Sequence, residues 1–275
     1  MLIGRPRFLL LGAFIFTLSF WSCSGSANEA QTEDANVATV ATEVPDAKTE
    51  PTAPPPPVDT PEVIKPVVLE DWEHQYEKEI EIFERQEAEN PSEKGGIVFT
   101  GSSSIRMWKT LEEDMAPLPA INRGFGGSTL RQVNAYAERI VFPLEPSLLV
   151  VYCGENDIAM ASQTSEETVE DFEDFVALSR DRLPNTPIIF LSMKPSISRW
   201  SYWSQFEEGN AAIQKICEEA AHLTYVDVGE VMLGQDEQPR PEIFIKDNLH
   251  MNEVGYREWT QLIKPVVEAK YEEVR

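Results

Sequence analysis

Leu148-Leu149-Val150-Val151-Tyr152-Cys153-Gly154-Glu155-Asn156-Asp157 is the stretch on which the fold turns. Its first six residues are apolar without a break, which fits a β-strand buried on both faces and not one with a wet side. The last four switch to glycine and polar residues, the chemistry of a turn leaving a strand. Similar short runs stand on either side: Gly96-Ile97-Val98-Phe99-Thr100, Ala120-Ile121-Asn122, Ile188-Ile189-Phe190-Leu191 and Thr224-Tyr225-Val226-Asp227. Between them, Ser128 to Ile140, Ser165 to Leu183 and Phe206 to Leu223 carry helical spacing. An amphipathic segment, Glu70 to Asn90, precedes the set, with Trp72, Tyr76, Ile80 and Phe83 recurring every three or four residues. A last helix is expected from Asn252 to about Ala269, bent at Pro265. Doubly buried strands alternating with helices predict one three-layer α/β/α domain over residues 70–275, built on a five-stranded parallel sheet.

Upstream of that domain the composition differs. Arg5 and Arg7 precede an apolar run from Phe8 to Trp21, too short to span a bilayer comfortably, so residues 1–22 read as a secretory signal. Ser22-Cys23-Ser24-Gly25 follows at once and resembles a bacterial lipoprotein signal, which implies an acylated Cys23 that anchors the chain without spanning the membrane. Phe20 and Trp21 depart from that pattern, and cleavage among Ser24 to Ala27 would instead release a soluble exported protein. Residues 23–69 are rich in Ala, Thr, Pro, Glu and Asp around Pro54-Pro55-Pro56-Pro57, a composition that cannot bury a core and reads as a disordered acidic tether. Of the cysteines remaining after Cys23, Cys153 and Cys217 sit in apolar context and are expected as small buried thiols, with a disulfide as the alternative. The formal net charge of −24 over 275 residues argues against nucleic-acid binding, because such a field repels polyphosphate.

In an open parallel sheet, functional residues gather beyond the carboxyl ends of the strands. Here those positions hold Gly101-Ser102-Ser103-Ser104-Ile105, then Asn122-Arg123-Gly124-Phe125-Gly126-Gly127-Ser128, then Gly154-Glu155-Asn156-Asp157, and beyond the fifth strand Asp247-Asn248-Leu249-His250. The four blocks, in this order, resemble the SGNH (GDSL-type) family of esterases and lipases. The resemblance implies a flavodoxin-like SGNH hydrolase fold over residues 70–275. It places Ser103 at the nucleophile position, Gly127 and Asn156 at the second and third blocks, and Asp247 and His250 in the closing Asp-x-x-His. Two positions depart from the family pattern: Ser102 stands where an Asp normally precedes the nucleophile, and Ser128 where an Asp often follows the second-block glycine.

The chemistry gives these residue types their roles. A serine hydroxyl is a weak nucleophile, so it needs an imidazole to take its proton and a carboxylate to fix the imidazole tautomer; Ser103, His250 and Asp247 supply the three. The tetrahedral oxyanion needs preorganised donors, each worth on the order of 3 kcal/mol. The side chain of Asn156 and the backbone N–H groups of Gly127 and Ser103 are the candidates. Asp71 and His74 repeat the Asp-x-x-His spacing but fall on the opening helix, and His222 lacks the aspartate and fits a structural or dipole role at a helix end.

The chain has no Gly-x-Ser-x-Gly elbow around Ser103, no Walker loop and no His-Glu-x-x-His, and neither a metal nor an organic cofactor is expected. After the fourth strand, Ser192 to Trp200 borders the same edge. Lys194 and Arg199 there are candidates for binding an anionic or polyhydroxyl substrate, and Trp200 for stacking on a sugar. Packing of the aromatics within the loop and pairing of the cations with acidic surface are the alternative. The sequence thus predicts an exported, membrane-anchored serine esterase acting on an acetylated glycan, a short acyl ester or a lysophospholipid. A thioesterase and a non-catalytic glycan-binding envelope protein are its rivals.

Overall fold

The strands that carry the four blocks end at one level. In the computed structural model, which describes residues 73–275, Gly101 at the end of one strand pairs with Gly124 on one side and Tyr152 on the other. Three loops therefore leave the sheet along a common rim. The strands are β1 (Ile97–Gly101), β2 (Ala120–Gly124), β3 (Leu148–Tyr152), β4 (Ile188–Leu191) and β5 (Leu223–Val226). All pair in parallel, in the order β2-β1-β3-β4-β5. The order reverses between β1 and β3, and at such a switch point the connections diverge to opposite faces and leave a crevice.

Eight α-helices, with short 3₁₀ turns between elements, lie among the described residues: α1 (Glu77–Glu89), α2 (Ser103–Arg106), α3 (Leu111–Met115), α4 (Leu130–Ile140), α5 (Glu155–Ala159), α6 (Ser165–Arg182), α7 (Trp203–Glu219) and α8 (Glu253–Glu273). Alternate residues of each strand feed two separate cores, as the pleat requires. Ile97, Phe99, Leu148, Val150 and Tyr152 pack on one face with Trp108, Tyr256, Trp259 and Ile263 from the α2–α3 segment and α8. Val98, Leu149, Val151, Ile188 and Phe190 pack on the other with Ile80, Val133, Phe172 and Ile213 from α1, α4, α6 and α7. The expected three-layer architecture and five-stranded parallel sheet are what the chain adopts.

The boundaries shift where local chemistry overrides pattern. Helix α4 begins at Leu130 and not at Ser128, because Thr129 caps it reciprocally with Gln132: the Thr129 side chain accepts from the Gln132 N–H and the Gln132 side chain accepts from the Thr129 N–H. Helix α8 runs on through Pro265 to Glu273. Helices α2 and α3 were not anticipated; at four and five residues they are too short to show a helical period. Cys153 and Cys217 are free and buried, as expected of small apolar thiols. The signal, Cys23, the tether, Asp71 and Trp72 lie outside the described residues.

Candidate active site

Ser103 opens α2 directly after β1. The chain can turn there because Gly101 has φ +130° and no side chain: a Cβ at that position would stand 1.9 Å from the Tyr152 carbonyl oxygen. Ser102 supplies the backbone cap, its carbonyl accepting from the N–H groups of Ile105 and Arg106. The Ser103 N–H belongs to the first helical turn and so has no acceptor within the helix.

The fourth block forms a hairpin turn between Phe244 and Met251, which pair antiparallel. Asn248 takes φ +57° within it, a conformation asparagine tolerates better than most residues. The turn brings Asp247 and His250 face to face: the imidazole Nδ1 lies 2.6 Å from Asp247 Oδ2, and Nε2 lies 2.8 Å from Ser103 Oγ across 147 residues of sequence. Asp247 Oδ1 accepts the N–H groups of Leu249 and His250, each at 2.9 Å. Burial works against the charge of this carboxylate, but the hydrogen bonds from the His250 ring and these two amides outweigh it and hold its pKa below the usual value. The carboxylate remains partly open to solvent, with its side chain 43% exposed. The structure thus brings Ser103, His250 and Asp247 into one hydrogen-bonded chain.

Asn156 stands in the first turn of α5, 4% exposed. Its Nδ2 donates to the Ser128 carbonyl at 2.9 Å and its Oδ1 accepts from Arg199 Nη2 at 2.7 Å. A guanidinium can only donate, so the carboxamide cannot flip, and its second N–H is left to face outward from the Ser128 contact. At the Ser128 departure the contact is made by the backbone carbonyl, so a shorter side chain there leaves it intact. Gly127 sits beside this amide: a Cβ on it would lie 3.7 Å from Asn156 Nδ2.

The sequence pattern of the GDSL-like lipase/acylhydrolase family matches residues 96–258, which hold all four blocks. The chain belongs to that family. Human platelet-activating factor acetylhydrolase IB subunit alpha2 is 33% identical over 107 residues, 36% of this chain and 44% of that protein. The chain therefore aligns with less than half of the length of the curated relatives it matches. Among solved structures, a Bacteroides fragilis protein assigned as an acylhydrolase is similar at TM-score 0.63 and 22% identity, over 74% of this chain and 100% of that one. An acetylxylan esterase from Geobacillus stearothermophilus is similar at TM-score 0.51 and 14% identity, over 66% and 95%. At these identities the structural likeness speaks for the fold.

In this GDSL-like chain the loop after β4 has a different part from the one expected of it. Lys194 is 1% exposed, and its Nζ donates to Glu155 Oε1 and Oε2 at 3.1 and 3.3 Å. A buried ammonium held by a buried carboxylate cannot reach a substrate, so its expected binding role is corrected to a structural one. Burial pushes the Lys194 pKa down, against the Glu155 charge that raises it. Arg199 also faces inward, with Nη1 3.7 Å from Glu155 Oε1, and its partners are protein groups and not acidic surface. Tyr152 donates its hydroxyl to the same Glu155. Trp200 is half-buried and stacks on Trp203, centroids 5.7 Å apart and rings inclined by 13°. The loop is tied to the hairpin that carries Asp247 and His250 through the Ser198 N–H and the Asn248 carbonyl. Glu155 was missed as a site residue, although its place beside Asn156 in the third block was visible. His222 lies at the start of β5, away from these contacts, and His74 faces Glu77 on the opening turn.

Proposed function

We propose that the chain is a serine esterase that cleaves short acyl esters through an acyl-enzyme. The observation that carries this reading is the Asp247–His250–Ser103 chain, with 2.6 and 2.8 Å contacts at the two imidazole nitrogens. Ser103 Oγ bonds to the ester carbonyl carbon as its proton passes to His250 Nε2, and the carbonyl oxygen becomes an oxyanion. His250 then protonates the alcohol oxygen as the C–O bond breaks. Water repeats the sequence with His250 as base, releasing the acid and restoring the Ser103 hydroxyl. Asp247 holds the imidazole and favours its charged form.

The names of the relatives, an acetylhydrolase and an acetylxylan esterase, favour acetyl or other short acyl groups. Trp200 at the rim favours a glycan as the alcohol half. The leader and Cys23 support placement in a bacterial cell envelope by a lipid anchor, which the mass of the mature amino terminus would test. For the activity, a series of p-nitrophenyl esters of increasing chain length should show turnover highest at acetate. The Ser103→Ala variant should lose at least about a thousandfold in kcat. Turnover by that variant close to the wild-type rate would end the proposal, as would failure of the wild type to react with a fluorophosphonate probe.

A further inference from the structure

The backbone amide expected to face the oxyanion already has a partner. Tyr76 closes a 3₁₀ turn (Glu73–Tyr76) ahead of α1, and its hydroxyl oxygen accepts the Gly127 N–H at 3.1 Å. Its place is built, not incidental. The ring meets Phe125 edge-on with centroids 5.6 Å apart. It also fills the space where Gly126 lacks a side chain: a Cβ there would stand 2.0 Å from the Tyr76 ring, and the residue has φ +44°. Glu79 Oε2 accepts the Gly126 N–H at 3.0 Å, which pins α1 to the same loop. The position a Gly127 Cβ would take lies 3.7 Å from Asn156 Nδ2 and 3.7 Å from the Tyr76 hydroxyl, so the two polar groups flank one small space.

We propose that the Tyr76 hydroxyl is a catalytic donor of the oxyanion hole, with the Gly127 N–H acting from behind it. A phenol that accepts a hydrogen bond has its own proton left to give, and no described residue accepts it. Accepting from Gly127 polarises the O–H, and donation to an anionic oxygen makes the bond charge-assisted. The oxyanion is then met by Ser103 N–H, an Asn156 side-chain N–H and Tyr76 O–H. The phenol keeps its proton throughout; the transfers among Ser103, His250 and the leaving alcohol are unchanged. This assignment rests on the esterase reading above and adds to it a residue from outside the four blocks.

The test is Tyr76→Phe, which keeps the ring against Phe125 and Gly126 and removes only the hydroxyl. With kcat expressed per site titrated by a fluorophosphonate, short-ester kcat should fall about 10- to 100-fold. KM should stay within about twofold, and the melting temperature should fall by no more than a few degrees, the cost of leaving the part-buried Gly127 N–H without its acceptor. An unchanged kcat overturns the proposal. So does a raised one, which would make the hydroxyl a plug that substrate displaces. Asn156→Ala and Ser103→Ala separate the levels of failure. If both lose activity while Tyr76→Phe does not, the site stands and this donor falls. If Ser103→Ala retains hydrolysis, the site falls and the donor with it.

Discussion

At the scale of single residues, the direction of one hydrogen bond organises much of the site. Arg199 fixes which end of the Asn156 carboxamide faces which way, and it does so from a backbone kink (φ −118°, ψ 17°) inside the 3₁₀ turn Ile197–Tyr202. Its charge also polarises the amide from the side opposite the Ser128 contact. Truncation should therefore act on the transition state more than on binding: Arg199→Ala should lower short-ester kcat roughly tenfold or more with little change in KM. Arg199→Lys should recover only part, because one ammonium cannot bridge Asn156 and Glu155 as a fork does. Steady-state kinetics of both variants decides it, and a rise in KM alone would return Arg199 to the substrate-contact role first read for it. Sequence could not distinguish these roles, since a cation in a rim loop looks the same whether its head points out to solvent or in to a buried carboxylate. Lys194 shows the same blindness, and Tyr76 was legible only as one more member of an apolar stripe.

At the scale of elements, what was legible follows from length and burial. Strands β3 and β4 were readable to the residue because both faces are buried and nothing polar interrupts them. The residues that converge on the rim were readable because each leaves a strand end, and a parallel sheet aligns those ends. The supports beneath them were not readable. Helix α2, only four residues long, needs an external anchor, and α8 gives it one: the buried Tyr256 hydroxyl donates to the Ser104 carbonyl at 2.9 Å, while its ring stacks on Trp108 at 5.5 Å. Removing that hydroxyl leaves a buried carbonyl without this donor. Tyr256→Phe should cost about 1–2 kcal/mol, read as a fall of a few degrees in melting temperature. It should also slow turnover, because Ser103 sits one residue away. A loss of stability with kcat untouched would show that α2 holds Ser103 in place without α8.

At the scale of the whole molecule, stability should depend on pH through a carboxylate outside the Asp247–His250–Ser103 hydrogen-bonded chain. Asp157 is fully buried and its Oδ1 accepts the Leu130 N–H at 2.8 Å, which ties the third block to the start of α4. Burial pushes its pKa up to about 7 from 3.8, aided by Asp171, while backbone hydrogen bonds from Leu130 and Gly154 restrain the rise. Well below pH 3.8 the side chain is protonated in both states and costs nothing. As pH rises toward 7 the unfolded chain releases the proton while the folded one keeps it, so folding stability falls across that window and levels off above it. Asparagine keeps the acceptor for Leu130 and does not titrate. Asp157→Asn should therefore melt close to the wild type near pH 4 and well above it at pH 8, by up to ~4 kcal/mol. Subtracting the two melting curves at each pH cancels the other acidic groups of a chain carrying −24, so the difference isolates this site. A gap that stays constant from pH 4 to 8 would mean that Asp157 ionises as easily in the folded protein as in the unfolded chain, and that the start of α4 rests on a charged cap.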